Sequence, residues 1–403
     1  MTPLEDAIRI EGGRVVATLI RLTGDFGVAE DAVQEASIVA LEQWRNTGIP
    51  DNPGAWLNRV ARNRALDHLR REAKRKDKET EAMRLLTMPA DDAEASDPLR
   101  LLFTCCHPAL SPEGRIALTL RTISQLSTRE ISRALLEPEP TVAQRISRAK
   151  RKIRVANIPY RLPGEAELPD RLPGVLQVLY LAFTAGYSAY EGAADGRVEL
   201  GDEAIRLTRT LAALMPDEPE VRALLALMIA TWSRRATRLD DKGELVLLTS
   251  QDRAAWDLHA IAEARAILGS PPGPDGDGWY RIQAAIALEH SSAEAFERTD
   301  WSRIVELYER LEEANPSAVV RVNRAVAVAH DSGPRAGLVL LDDLDGDPAV
   351  ESWHLYWSTR AELLARTGDH ETSAACLRRA LECPMNDADR RLLTQRLAAA
   401  TGS

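Results

Sequence analysis

The chain has 403 residues, with 61 acidic against 51 basic side chains and a formal net charge of -10. A chain of this length holds roughly two to four domains, each able to bury its own core, and the acidic balance excludes a protein that coats nucleic acid along its whole surface, so any basic function must be local. Cys105, Cys106, Cys376 and Cys383 are too few and too unevenly placed for a disulfide framework, and the start MTPLEDAIRIEGG lacks a charged-then-apolar signal segment. The stretch 175–189 is broken by Gln177, Thr184, Gly186 and Ser188, short of the roughly 20 apolar residues of a membrane span. A reducing cytoplasm and no membrane are expected.

Alanine, leucine, arginine and glutamate dominate, and the apolar spacing is helical from end to end, so the expected fold class is all-α. Residues 14–22 read as a helix ended near Gly24. A second helix over 28–44 puts Val33, Ala36, Ala40 and Trp44 on one face and gathers Asp31, Gln34 and Glu35 on another. That acidic cluster reads either as a solvated face or as a docking surface for a basic partner. The stretch RNTGIPDNPG, residues 45–54, has loop composition, and Asn52 and Pro53 suit the start of the next helix. In that helix, 55–76, Trp56, Arg59, Asn63 and Arg70 share one side, with Leu57, Val60, Ala61 and Leu69 towards the other. An aromatic in line with arginine and asparagine is the stacking platform that single-stranded or distorted DNA needs; Trp56 reads equally well as a core anchor. The run 70–78 is too charged to be buried. Residues 79–97 lose the apolar period and gain acids, which makes them a linker between a first module, 1–78, and a second, 98–157.

The second module ends in LSTREISRALLEPEPTVAQRISRAKRKIR, residues 126–154. Ser127 and Glu130 have capping-box spacing, Pro138 and Pro140 force a bend over 137–140, and Thr141 and Gln144 repeat the box. In the second helix Val142, Ile146, Ala149 and Ile153 fall on one face, and Gln144, Arg145, Arg148, Arg151 and Lys152 share another. A capped helix, a short turn and a basic second helix form the helix-turn-helix pattern, whose second helix reads the DNA major groove. A solvated charged face would explain single basic residues, but not a face without an acid from Thr141 to Arg154 in an acidic protein. Cys105, Cys106 and His107 lack zinc-ligand spacing and are expected to pack, so no metal and no cofactor is expected.

A proline-rich connector, 158–173, leads to a helical extension over 174–298 and then to helix-turn-helix units over 299–403. In the last of these Trp357, Ala361, Leu364, Leu377 and Ala380 approximate the large and small positions of a tetratricopeptide repeat, with a plain helical bundle as the alternative. Arrays of this kind present a concave surface to a protein or peptide partner. The sequence contains no GxSxG, Walker loop, HExxH or glycine fingerprint, so no enzyme is expected.

Taken together, DAVQEASIVALEQW, WLNRVARNRALDHLRR and the helix-turn-helix stretch resemble bacterial RNA polymerase sigma factors of the extracytoplasmic-function (ECF) type. FTCCHPALSPEGRIALTLR, LPDRLPGVLQVLYLAFTAGYSAYEG and WYRIQAAIALEH are similar to the subgroup with a long C-terminal extension ending in tetratricopeptide-like repeats. The resemblance implies region 2 in the first module and region 4 in the second, with promoter DNA and core polymerase, through its β′ clamp and β flap, as partners. By that resemblance Asp31, Gln34 and Glu35 dock on polymerase. The 45–54 loop and Trp56, Asn58, Arg59, Arg62 and Asn63 meet the minus-ten element, while Thr141, Gln144, Arg145, Arg148 and Arg151 sit at the minus-thirty-five element. Gly201 stands where this subgroup is expected to carry a cysteine. The alternative is a helix-turn-helix regulator with a protein-binding helical domain that never enters the polymerase holoenzyme.

Overall fold

The computed structural model describes residues 3–73, 97–135, 137–189, 198–240, 244–269, 278–385 and 387–401. The expected linker, apart from Asp97, lies outside the described residues, as do 74–78 of the charged run. Among the described residues the regular structure is helical, with one isolated antiparallel bridge between Leu239 and Leu245. The chain divides into two compact units, Met1–Ala185 and Gly186–Ser403.

In the first unit α1 (Pro3–Thr23), α2 (Phe26–Thr47) and α3 (Pro53–Ala73) pack on one another. Gly24, at φ +67°, makes the turn between α1 and α2, and the Asp25 carboxylate then accepts from the amides of Gly27 and Val28. Helix α2 runs to Thr47, so Arg45, Asn46 and Thr47 are helical and the expected loop shrinks to 48–52. Asn52 Oδ1 accepts from the Ala55 amide at 2.9 Å and opens α3 as its sequence anticipates. The second module comprises α4 (Asp97–Cys105), α5 (Pro112–Thr122), α6 (Thr128–Leu135) and α7 (Glu139–Val155).

The two modules pack against each other inside this unit. Gly13 of α1 lies so close to the Ile123 carbonyl that a Cβ would stand 2.2 Å from its oxygen. Asp97, the last residue of the expected acidic linker, is 1% exposed and sits between Thr18 Oγ1 at 3.3 Å, Arg21 Nε at 3.0 Å and Arg100 Nη1 at 3.1 Å. Glu30 of α2, also buried, accepts from Lys150 of α7 and from Thr122 Oγ1. Burying a carboxylate costs several kcal/mol unless partners replace its water, so these pairs hold only while the modules stay together.

Residues 158–173 fold back on this assembly. The Tyr160 hydroxyl lies 2.8 Å from the Ala17 carbonyl oxygen and 3.1 Å from that of Asp97, which ties both modules to the segment after α7. Helix α8 (Leu168–Ala189) starts ahead of Pro173 and buries Leu172, Val175, Leu176 and Leu179. Arg171 Nη2 donates to the Phe103 carbonyl at 2.7 Å.

The second unit begins with α9 (Val198–Leu214) and α10 (Pro219–Trp232), and α10 is buried almost all round. Gly201 faces the Trp232 indole, where a Cβ would stand 2.4 Å from the ring. After α11 (Leu258–Leu268) and α12 (Trp279–Ser292) come the helices α13 (Trp301–Ala314), α14 (Ala318–Asp331), α15 (Pro334–Asp342), α16 (Pro348–Glu351), α17 (His354–Thr367), α18 (His370–Glu382) and α19 (Asp387–Thr401). Sequential members of this series pack as hairpins. The five positions read as repeat-like, Trp357, Ala361, Leu364, Leu377 and Ala380, meet in one apolar cluster with Cys376 and Leu393. Gly337 permits the close crossing of α14 and α15, since a Cβ would fall 2.6 Å from the Ala325 carbonyl oxygen.

Candidate nucleic-acid interface

The helix-turn-helix opens on a reciprocal cap. Ser127 N donates to Glu130 Oε2 at 2.6 Å and Glu130 N to Ser127 Oγ at 3.2 Å, which is the box the spacing anticipates. The second helix starts earlier than its sequence suggests. Helix α7 begins at Glu139 with Pro140 in its first turn, and no side chain caps it. Proline fits there because the missing N–H would have no helical partner in any case, so the Thr141 and Gln144 box does not form.

The turn is held by α7 itself. Arg145 reaches back to the Glu137 carboxylate, and Ser132 Oγ donates to the Glu137 carbonyl at 2.5 Å. Val142, Ile146, Ala149 and Ile153 are buried; Gln144, Arg148, Arg151 and Lys152 are exposed, and Thr141 and Arg145 are half-buried. The exposed set is a run of cations and one amide on a rigid element, suited to phosphates and base edges. Lys150 is turned the other way, onto Glu30.

On α3 the structure separates residues that the family resemblance groups together. Arg59, Asn63 and Arg70 are exposed along one side, whereas Asn58 and Arg62 are only 7% and 8% exposed. Asn58, Arg62, Ala65 and Leu69 follow at three- and four-residue steps along the buried side, in a helix packed on α1 and α2, so in this arrangement Asn58 and Arg62 do not face solvent. Trp56 is half-buried, its ring 5.2 Å from buried Trp44 at an interplanar angle of 65°. The edge contact anchors Trp56 in the core while leaving part of the ring in solvent. Ile49 in the 48–52 loop, seven residues before it, is 42% exposed.

The acidic cluster on α2 is real as a surface but mixed in state. Asp31 and Gln34 are exposed, while Glu35 is engaged by α3, with Oε1 2.9 Å from His68 Nε2 and Oε2 3.5 Å from Arg64 Nε. The sequence reasoning missed Ile38. It continues the same face one turn on, and at 57% exposure it is a large apolar side chain held in water. The available signal was its position seven residues after Asp31, in the middle of a polar face. Elsewhere Cys105 and Cys106 are buried, and burial pushes the Cys106 thiol up to about 12 and the Cys105 thiol upward as well. Among the described residues no group of three histidine, cysteine, aspartate or glutamate side chains is placed to hold a metal ion, and no helix is long and apolar enough to cross a membrane.

Known proteins match this chain in the same places. The sigma-70 region 2 family model matches residues 8–75, the sigma-70 region 4 model residues 100–153, and a family of unknown function, DUF6596, residues 171–270. An uncharacterized protein of Rhizobium meliloti is 40% identical over 367 residues, covering 88% of this chain and 86% of that one. The probable ECF RNA polymerase sigma factor SigI of Mycobacterium tuberculosis is 29% identical over 164 residues, 39% of this chain and 56% of SigI. The ECF RNA polymerase sigma factor SigK of Mycobacterium bovis is 31% identical over 150 residues, 35% of this chain and 78% of SigK. No solved structure matches the chain. With regions 2 and 4 in order, each carrying an exposed basic helix face, and a matched extension behind them, the chain belongs to the ECF sigma factors of the sigma-70 family, in a branch with a long helical C-terminal extension.

Proposed function

We propose that the chain binds core RNA polymerase and directs promoter-specific initiation through two readers, α3 with the 48–52 loop at the minus-ten element and α7 at the minus-thirty-five element. One observation carries this reading: a single chain holds both sigma regions and presents on region 2 an acidic and apolar face, Asp31, Gln34 and Ile38, that a DNA-only regulator does not need. Gln144, Arg148 and Arg151 are the first candidates for the upstream element because they are exposed on one rigid helix; Arg145 joins them once Glu137 releases it. Arg59, Asn63 and the free part of Trp56 are the first candidates for the melted strand. Asn58 and Arg62 take part only if α3 shifts on its neighbours.

The free chain is closed. Elements at minus ten and minus thirty-five are separated by about 25 base pairs, roughly 85 Å of B-DNA at 3.4 Å per pair. A compact unit the size of Met1–Ala185 is only about 40 Å across. The two readers therefore cannot span a promoter while Glu30 holds Lys150 and Asp97 holds Arg21, and polymerase has to supply the contacts that replace these. The extension regulates or supports that opening, with its repeat-like helices as the surface for a protein or peptide partner.

Pull-down with core polymerase followed by run-off transcription tests the function: the chain should be retained by core enzyme and should confer promoter-dependent transcripts. DNA binding without any polymerase dependence would overturn it in favour of a helix-turn-helix regulator. A truncation testing the extension should end after Ala189 and not after Asn157, because the earlier cut removes Tyr160 and the apolar face of α8 from the first unit. Unaltered transcription by that truncated chain would show that the extension has no regulatory role.

A further inference from the structure

The second unit contains a cleft of about 410 Å³ that none of the promoter-reading surfaces uses. Its wall is aromatic: Trp301 stacks on His330 with centroids 4.3 Å apart and planes 18° from parallel, and Phe296 meets both rings edge-on at 5.3 and 5.2 Å. Tyr308 and Leu363 continue the apolar lining, and His290 meets Trp301 edge-on at 5.3 Å. Burial, together with the positive charges of Arg234 and Arg253, pushes the His290 imidazole down to about 3, and burial with Arg366 lowers His330, so both rings are neutral and count as part of the apolar wall at physiological pH.

The cleft is a built feature. The segment carrying Leu247, Leu248 and Thr249 forms one side of it, and that segment is braced at Glu244, whose carboxylate takes Arg391 Nε of α19 at 3.0 and 3.1 Å. Gln251 Nε2 donates to the Val246 carbonyl at 3.0 Å and holds its other end. A loop from the middle of the chain and a helix from its end thus close on the same space.

Two guanidinium groups line the cleft. Arg396 is bonded to Glu362, so its charge is met. Arg366 is different. Its Nη2 donates to the Ala329 carbonyl at 3.0 Å, and among the described residues no carboxylate lies in ion-pair range of it. Arg366 is exposed, and an arginine has five N–H donors in a planar fork, so most of that fork is open to solvent and to a ligand entering the cleft beside the Trp301–His330 stack.

We propose that this cleft is a binding site for a small organic carboxylate with an aromatic or branched apolar body, the carboxylate taken by Arg366 and the body lying against Phe296, Trp301 and Leu363. A single unmet cation matches a single negative charge. A phosphate dianion would leave one charge unbalanced in a cleft whose other cation already belongs to Glu362. The volume falls in the range of small-molecule sites, and beside the aromatic wall Asn323, Ser358, Thr359 and the Arg396–Glu362 pair give the lining the polar groups that orient a ligand. This site makes the extension a ligand-binding unit in its own right, whatever else its helices contact.

The test uses the full chain with phenylacetate and indole-3-acetate as probes, and phenylacetamide and indole-3-acetamide as uncharged counterparts. Binding is read by tryptophan fluorescence and by the rise in thermal midpoint that a ligand of the folded state produces. Both acids should bind saturably and the amides at least about tenfold more weakly, the range expected for losing one charge-assisted hydrogen-bonded pair. Arg366→Met should lose about as much for the acids at unchanged helix content, Arg366→Lys should restore part of it, and Trp301→Phe should remove most of the fluorescence change. Should Arg366→Met fail to fold, the acid-against-amide comparison on the unaltered chain decides alone. The proposal is overturned if neither acid saturates at millimolar concentration, if acids and amides bind alike, or if the cleft ignores the acids and takes a peptide instead.

Discussion

Replacing Gly13 with alanine sets two effects of known size against each other. Inside α1 alone the change favours helix by up to about 1 kcal/mol, because glycine has more backbone freedom to lose. In the closed unit the new Cβ would stand 2.2 Å from the Ile123 carbonyl oxygen and 3.2 Å from its carbon. That obstacle is backbone of the other module, so it cannot rotate aside, and α1 has to retreat by about 1 Å. The usual overpacking cost, about 1–3 kcal/mol, then falls on the closed arrangement only, while the helix gain is shared by closed and open forms. The closed-to-open ratio should drop by roughly 5- to 150-fold, and apparent affinity for core polymerase should rise correspondingly. Energy transfer between dyes on Asp67→Cys in α3 and Glu113→Cys in α5 reads the opening directly. The four native cysteines are buried, with thiols pushed upward, and leave the two introduced sites to be labelled selectively. Gly12→Ala is the internal control, since its Cβ would meet only the flexible Gln125 side chain at 3.4 Å. Unchanged transfer and unchanged polymerase affinity in Gly13→Ala, with helix content intact, would refute the view that this contact keeps the modules together.

Arg148→Ala should cost about 1–3 kcal/mol on the cognate promoter and relax specificity at one position if it reads a base, while Arg151→Ala should weaken all sequences evenly and reduce the salt slope by about 1; binding titrations across salt and promoter variants separate the two. Ile38→Asp should lower core polymerase binding at least tenfold while leaving the thermal midpoint nearly unchanged, since exposed substitutions away from caps and pairs shift stability by about 0.5 kcal/mol or less. Gly201→Cys should destabilise the second unit by about 1–3 kcal/mol in thermal melts, because its Cβ would press on the Trp232 ring, so the cysteine expected at this position cannot be accommodated with Trp232 as it lies. Acid should weaken the same unit: His290 is held well below its ordinary 6.5, so the unfolded chain binds a proton there that the folded chain refuses, and stability present above about 6.5 is lost as pH falls. Near pH 5 the loss from this group is about 2 kcal/mol, and His290→Gln should flatten that part of the melting-temperature profile.

Helical periodicity, caps and breakers carried much of the fold without tertiary information. The Ser127–Glu130 box, the buried face of α7 and the turn around Pro138 follow from spacing and from proline chemistry, because each is decided within a few residues. Helix ends were less legible where a local rule admits two outcomes. Pro140 breaks a helix interior but is welcome in a first turn, and the 45–54 loop lost three residues to α2 because its C-cap is Gly48.

Which side of a helix is free was legible only where the apolar stripe is plain. Helix α7 shows its exposed cations in its sequence, whereas on α3 the polar Asn58 and Arg62 themselves interrupt the stripe of Ala65 and Leu69, so the sequence does not reveal that they lie on the packed side. Ile38 is the opposite case, an apolar residue whose helical position among Asp31, Gln34 and Glu35 outweighs its side-chain type and leaves it in water. The sequence alone determined the class of this protein, two basic helical modules and a helical extension, since those signals are local and add along the chain. Tertiary structure decided that Asp97 is a buried clasp, that Glu30 claims Lys150, and that Tyr160 bridges both modules. Those pairs join residues 63 to 143 positions apart, and the chemistry of such a contact depends on distance in space, which no local pattern records.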